Sequence, residues 1–286
     1  MRPFGPPHSP RFLHDLRGEL ARVVADLFDG LEGKDEEDEQ RFHGWADTVA
    51  SGLDPSGGQR GLEKAQQARR ELGAYLAGLI DTKRRRDGSG ILGPLARETG
   101  PGGSMSTAEL VSTAIVLLIA GHETTVNLIS NATLTLLRHP EVLERFRKEP
   151  ELVVPLVEEV LRYEPPVQFI PFTTTLADID IAGTTIPKGA PVRLMLASAN
   201  RDPKRFEDPD RFDPDRADNE HLGFYTGIHY CFGAPLARME AQLALPELFR
   251  RIRNPRLLAD PPPYRANPVL RGPHHLPVAI DGLTTP

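Results

Sequence analysis

A chain of 286 residues with a single cysteine cannot form an internal disulfide, so its fold must be held by packed apolar faces. That thiol, Cys231, lies in the run Phe224-Tyr225-Thr226-Gly227-Ile228-His229-Tyr230-Cys231-Phe232-Gly233, with glycines and a histidine at fixed offsets from it. A residue without Cβ lets a backbone turn tightly and approach a flat ligand, which suits Gly227 and Gly233. An isolated free cysteine usually packs as a small buried apolar side chain. Here the flanking pattern favours a different use. A thiolate is a strong, polarizable donor to iron, and a haem held by cysteine gains electron density that favours O–O cleavage.

The length allows a large core and one or two domains. Net charge is −6, and much of the acidic excess stands in Asp35-Glu36-Glu37-Asp38-Glu39, so nucleic acid is not an expected partner. The most apolar stretch, Ala114 to Gly121, is far shorter than the roughly 20 residues that span a bilayer. Met1-Arg2-Pro3-Phe4 leads into no apolar signal core. These features predict a soluble, cytoplasmic protein with no membrane attachment.

Apolar residues at helical spacing predict helices over Arg11 to Leu31, Asp38 to Leu53 and Leu62 to Leu79. Asp87 to Gly103, rich in glycine, reads as a loop with a helical turn or two. Ser106-Thr107-Ala108-Glu109 is a capping-box pattern opening a long helix to about Arg138, before Pro140. Shorter helices follow from Pro140 and over Glu151 to Arg162. Asp178 to Ile181, Thr184 to Ile186 and Val192 to Leu194 read as short strands. Arg201 to Asp218, with three prolines among many charges, reads as an ordered meander. A helix then runs from beyond Cys231 to about Arg251, and the proline-rich tail has room only for short strands.

Within the long helix, Ala120, Gly121 and Thr124 fall three and four apart, so they share a face without a bulky side chain and leave a notch. A notch beside a hydroxyl and the Glu123 carboxyl can admit a diatomic ligand and pass protons to it.

Phe224 to Gly233, followed by Ala234-Pro235-Leu236-Ala237-Arg238-Met239-Glu240, closely resembles the haem-binding loop and following helix of the bacterial, soluble type of the cytochrome P-450 family. The resemblance implies that Cys231 is the axial iron ligand, that Phe224 packs near the sulfur, and that His229 reaches a haem propionate. Ala120-Gly121-His122-Glu123-Thr124-Thr125 resembles the family's oxygen-binding helix. By that likeness Thr124 supplies the oxygen-side hydroxyl and Glu123 the acid. Glu159-Val160-Leu161-Arg162 and Phe212-Asp213-Pro214-Asp215-Arg216 resemble the family's Glu-x-x-Arg helix and its meander, which implies that Glu159, Arg162 and Arg216 form a buried charge network. Asn200-Arg201-Asp202-Pro203 extends the match.

The chain also departs from the family pattern. Tyr225 stands where glycine usually follows the phenylalanine. No arginine for a propionate is present over Pro171 to Thr175, which leaves His229 as its expected partner. The front helices and sheet have no counterpart, and two origins stay open: an internal methionine of a longer reading frame, or a natural short form.

The expected fold is mainly α with small β-sheets (α+β), one N-terminally truncated P-450-like domain over residues 1–286. The implied activity is a haem-thiolate monooxygenase with haem b iron, using dioxygen to hydroxylate or epoxidise a small hydrophobic substrate of secondary metabolism. Phe169, Ile170 and Phe172 suggest the apolar ligand. With no Gly-rich dinucleotide fingerprint and no cysteine cluster, electrons must come from outside. By resemblance they pass from NAD(P)H through a ferredoxin reductase and a ferredoxin. The other reading is a degenerate, non-catalytic relative that binds haem or a ligand weakly.

Overall fold

The computed structural model describes residues 36–54, 57–85, 92–97 and 105–284. The helix expected over Arg11 to Leu31 lies outside them. The chain divides into two compact units, one formed by residues 14–126 and one whose described part begins at Asn127.

The first unit contains α1 (Glu36–Ser51), α2 (Gly58–Arg85), α3 (Leu92–Arg97) and the first part of α4 (Thr107–Arg138). Leu72, Leu76 and Ile80 stand four apart on α2, and Leu110, Ala114 and Leu118 stand four apart on α4; together with Ala96 and Ile115 they form one buried cluster. Small residues set the helix spacing. A Cβ on Gly52 would stand 2.5 Å from that of Ala65, so α1 ends directly against α2. The capping box of α4 is formed: Ser106 N–H donates to Glu109 Oε2 at 2.7 Å, and Glu109 N–H donates to Ser106 Oγ at 3.2 Å. By length and composition α4 could cross a membrane, but 56% of its most apolar window is buried within the protein, as in a core helix.

The second unit holds the rest of α4, then α5 (Pro140–Lys148), a 3₁₀ turn (Pro150–Leu152) and α6 (Val153–Tyr163). The start expected at Glu151 is this 3₁₀ turn, because Pro150 opens the segment and its carbonyl accepts from Val153 N–H in a three-residue turn. Among the described residues there are four antiparallel two-stranded sheets: β1 (Ile170–Thr174) with β4 (Pro191–Leu194), β2 (Ile179–Ile181) with β3 (Thr184–Ile186), β5 (Ile252–Arg253) with β8 (Gly282–Leu283), and β6 (Arg256–Leu257) with β7 (Val278–Ala279). Strand β1 was not legible from alternation, since it contains Pro171 and a bulge between Ile170 and Thr173 that admits it. The β2–β3 turn, Ala182-Gly183, has φ of 47° and 78°, the left-handed pair that matches strand twist in a two-residue hairpin.

A four-residue helix, α7 (Leu196–Ala199), leads into the meander, which contains no helix or strand, and α8 (Ala234–Arg251) follows Cys231. Leu245, Leu248 and Phe249 bury α8 against α5 and α6, with the Phe146 and Phe249 rings edge to face at 6.0 Å. The Phe212 ring anchors the meander, 5.1 Å from His139 and 5.3 Å from Tyr163. Helices dominate and every sheet is small, so the fold class is the mainly α, α+β class that the sequence predicts.

Candidate functional site

The loop from Phe224 to Gly233 closes on itself. Cys231 N–H donates to the Phe224 carbonyl at 3.0 Å, Tyr230 N–H donates to the Gly227 carbonyl at 3.1 Å, and a 3₁₀ turn spans Gly227–His229. Two residues make the reversal with left-handed backbone: Gly227 at φ +67°, and Tyr225 at φ 62°. Tyr225 thus adopts the conformation for which the resemblance expects glycine, at a strain of about 1 kcal/mol.

The Cys231 thiol is exposed, and a Cβ on Gly233 would lie 3.8 Å from its sulfur. On the loop, Ile228 and Phe232 are 98% and 73% exposed. Leu236, Met239 and Leu243 continue an exposed apolar stripe along one face of α8. A soft sulfur donor at the head of such a face fits a thiolate-bound haem, whose flat apolar ring would cover the side chains that water now meets. His229 is exposed at the end of the turn. Over Pro171 to Thr175 there is no arginine, but the paired strand β4 supplies Arg193 opposite the β1 bulge, its guanidinium 5.8 Å from the Phe169 ring. The Phe172 side chain is outside the described set.

Glu159, Arg162 and Arg216 come together in the second unit. Glu159 and Arg162 are 0% exposed. Arg162 donates from Nε and Nη2 to the two Glu159 oxygens, both at 2.8 Å. Its remaining donors go to the carbonyls of Asn200 at 3.0 Å, Pro209 at 2.8 Å and Arg211 at 3.0 Å. All five guanidinium N–H groups are therefore used, which makes a buried cation tolerable. Glu159 also accepts from Asp213 N–H at 2.8 Å and Asn219 Nδ2 at 3.2 Å, while Arg216 Nε lies 3.4 Å from its Oε2. Arg216 donates onward to the carbonyls of Glu207 at 2.6 Å, and of Asp208 and Arg211 at 3.3 Å.

Ala120, Gly121, Glu123 and Thr124 belong to the first unit. Ala120 is exposed, Gly121 and Thr124 are half-buried, and Glu123 is 4% exposed. A Cβ on Gly121 would meet nothing within 4 Å, so there is open space beside the helix at that point. Thr124 Oγ1 donates to the Ala120 carbonyl at 2.5 Å, which leaves the hydroxyl oxygen free to accept a further hydrogen bond.

Several residues that build the loop's surroundings had no role assigned from the sequence, although Asn200 and Arg238 stand within the family match. Asn200 Oδ1 accepts from Leu222 N–H at 2.8 Å, and Asn219, Glu158, His221 and Arg238 also enter the polar framework. Glu158, next to Glu159 on the same helix, carried a usable signal: a second carboxylate on a largely buried turn needs cations of its own.

Two outcomes test this geometry. Arg162→Lys, which cannot reproduce the fork, is expected to lower unfolding free energy by about 3–5 kcal/mol in urea titration. Tyr225→Gly is expected to be about 1 kcal/mol more stable than Tyr225→Ala in the same measurement, because the two differ only by a Cβ at positive φ.

The cytochrome P450 family pattern matches residues 62–267. Cytochrome P450 monooxygenase PikC of Streptomyces venezuelae is 43% identical over 261 residues, covering 90% of this chain and 60% of that protein. 6-Deoxyerythronolide B hydroxylase of Saccharopolyspora erythraea is 39% identical over 280 residues, covering 95% of this chain and 65% of that protein. The chain therefore spans less than two thirds of the length of these two relatives. Among solved structures, P450BioI in complex with hexadec-9Z-enoic acid ligated acyl carrier protein superposes with a TM-score of 0.81 at 35% identity, covering 96% of this chain and 76% of that one. CYP164A2 of Mycobacterium smegmatis gives 0.79 at 36% identity, covering 95% and 76%. The chain belongs to the cytochrome P450 family.

Proposed function

We propose that this protein is a haem-thiolate monooxygenase that inserts one oxygen atom from dioxygen into a small hydrophobic substrate. The observation that carries the reading is the exposed Cys231 thiol on a hydrogen-bonded loop amid exposed apolar side chains. When bound, the haem iron supplies the activation of dioxygen. In this reading Cys231 holds the iron through sulfur, with Gly227 and Gly233 keeping the loop low enough for the ring to approach. Phe224 packs behind the loop, and His229 takes a propionate by a charge-assisted hydrogen bond. Ala120 and Gly121 leave room for a diatomic ligand, and Thr124 accepts a hydrogen bond while Glu123 feeds protons to it.

The substrate belongs to a biosynthetic pathway, a class supported by the names of relatives such as pentalenic acid synthase of Streptomyces avermitilis and PksS, a polyketide biosynthesis P450 of Bacillus subtilis, and its apolar character is suggested by Phe169 and Ile170. Electrons come from NAD(P)H through a ferredoxin reductase and a ferredoxin, a partnership implied by the resemblance to bacterial P450s. Cys231 has to stay out of any disulfide to hold iron as a thiolate, which suits the reducing cytoplasm. The chain acts as one P450 domain in this assignment.

Haem titration tests the central claim. Wild-type protein is expected to take up haem stoichiometrically and, once reduced under carbon monoxide, to show the red-displaced Soret band of a thiolate complex. Cys231→Ser should lack that band. Failure of the wild type to bind haem favours the degenerate relative. Thr124→Ala is expected to lower product formed per NAD(P)H consumed by about ten-fold and to raise peroxide, measured by oxidation assay with product analysis.

A further inference from the structure

Glu158 adjoins Glu159 on α6 but serves a different set of partners. Its Oε1 accepts from Arg238 Nε at 2.7 Å, and its Oε2 accepts from Arg238 Nη2 at 2.8 Å, a two-pronged pair. His221 Nε2 lies 3.0 Å from the same Oε2. Gly223 N–H donates to His221 Nδ1 at 3.0 Å, which puts the ring proton on Nε2 and makes that nitrogen a donor to Glu158. Burial by itself would raise the Glu158 carboxyl, but hydrogen bonds from Arg238 and then His221 outweigh it and bring it down to about 2.

The two partners flank the thiol in sequence. His221 opens the segment that enters the loop, and Arg238 lies in the helix that leaves it. Arg238 also reaches back to the loop: its Nη1 donates to the Tyr230 hydroxyl at 3.1 Å, and its guanidinium carbon stands 4.5 Å from the centre of the Phe224 ring. The entering segment lies tight against α6. A Cβ on Gly223 would stand 2.9 Å from the Leu161 carbonyl oxygen and 3.0 Å from His221 Nδ1.

We propose that Glu158 is a positioning residue for the Cys231 loop, holding both of its ends to α6 through His221 and Arg238 and so setting where the sulfur stands. This rests on the reading of Cys231 as the iron ligand, yet the restraint acts in the polypeptide with or without haem. Glu159 ties α6 to the meander and Glu158 ties the same turn to the thiol loop. The role differs from general stability because Arg238 carries the contact on to Phe224, which opens the loop, and to Tyr230, which adjoins Cys231.

The test is amide hydrogen exchange on the full chain, before and after haem addition, for wild type, Glu158→Gln and Gly223→Ala. In Glu158→Gln, amides between His221 and Gly233, including the Cys231 N–H bonded to Phe224, are expected to exchange about ten-fold faster. Amides of α4 and of the meander should keep their rates. Gly223→Ala removes no charge and displaces the His221 ring, so it should give the same local acceleration. In the haem-loaded variants the carbon monoxide complex should divide between the red-displaced thiolate band and a band without it, whereas wild type keeps the former. Unchanged exchange in the loop overturns the proposal, as does acceleration spread evenly over the chain. Absence of haem binding in the wild type would sink the iron-ligand reading instead, while the exchange comparison still decides whether Glu158 restrains the loop.

Discussion

The buried guanidinium of Arg162 is the interaction on which the thiol-bearing unit depends. A fully desolvated cation is unfavourable unless every donor is matched, and here each of the five N–H groups has an acceptor. Two of those acceptors are the Glu159 carboxylate, and three are backbone carbonyls of Asn200, Pro209 and Arg211. The meander has no ladder of its own to satisfy these carbonyls, so one side chain takes the place of secondary structure. Removing the charge would take from the Asn200 and Pro209 carbonyls the donor that reaches them here, and from the Glu159 carboxylate its two-pronged cation. The arrangement is therefore unforgiving in a way that an exposed ion pair is not.

From that anchor the chain runs directly into the thiol loop. Adjacent carboxylates on α6 divide the work, Glu159 toward the meander and Glu158 toward His221 and Arg238. Consecutive residues on a helix are turned about 100° from each other, so one turn can serve two segments without competition. The loop then stores a little strain at Tyr225, held by the bond from Cys231 N–H to the Phe224 carbonyl. Strain of that size persists only because the surroundings of the loop are over-determined.

Much of the architecture was legible in the sequence. The four-residue spacing of leucines on α2 and α4, the Ser106–Glu109 box and the prolines that end helices are local signals, and the corresponding elements stand where those signals put them. Strand β1 was illegible because its alternation is broken by Pro171 and a bulge that only pairing with β4 makes acceptable. Of the candidate site, the grouping of Glu159, Arg162 and Arg216 could be read from spacing with the family resemblance, and the structure brings these three side chains together. Glu158 carried a signal as a second carboxylate on the same turn, but which cations it meets could not be read, since they lie 63 and 80 residues away.

By itself the sequence determined the long helices among the described residues, the notch of small residues at Ala120 and Gly121, and the unusual setting of a solitary thiol. These follow from periodicity and from the sterics of neighbouring residues, which act over a turn or two of chain. Only the tertiary structure decided which carboxylate meets which arginine, and that Tyr225 would take a left-handed backbone. Such choices depend on which distant segments exclude water together, a condition no short window of residues contains.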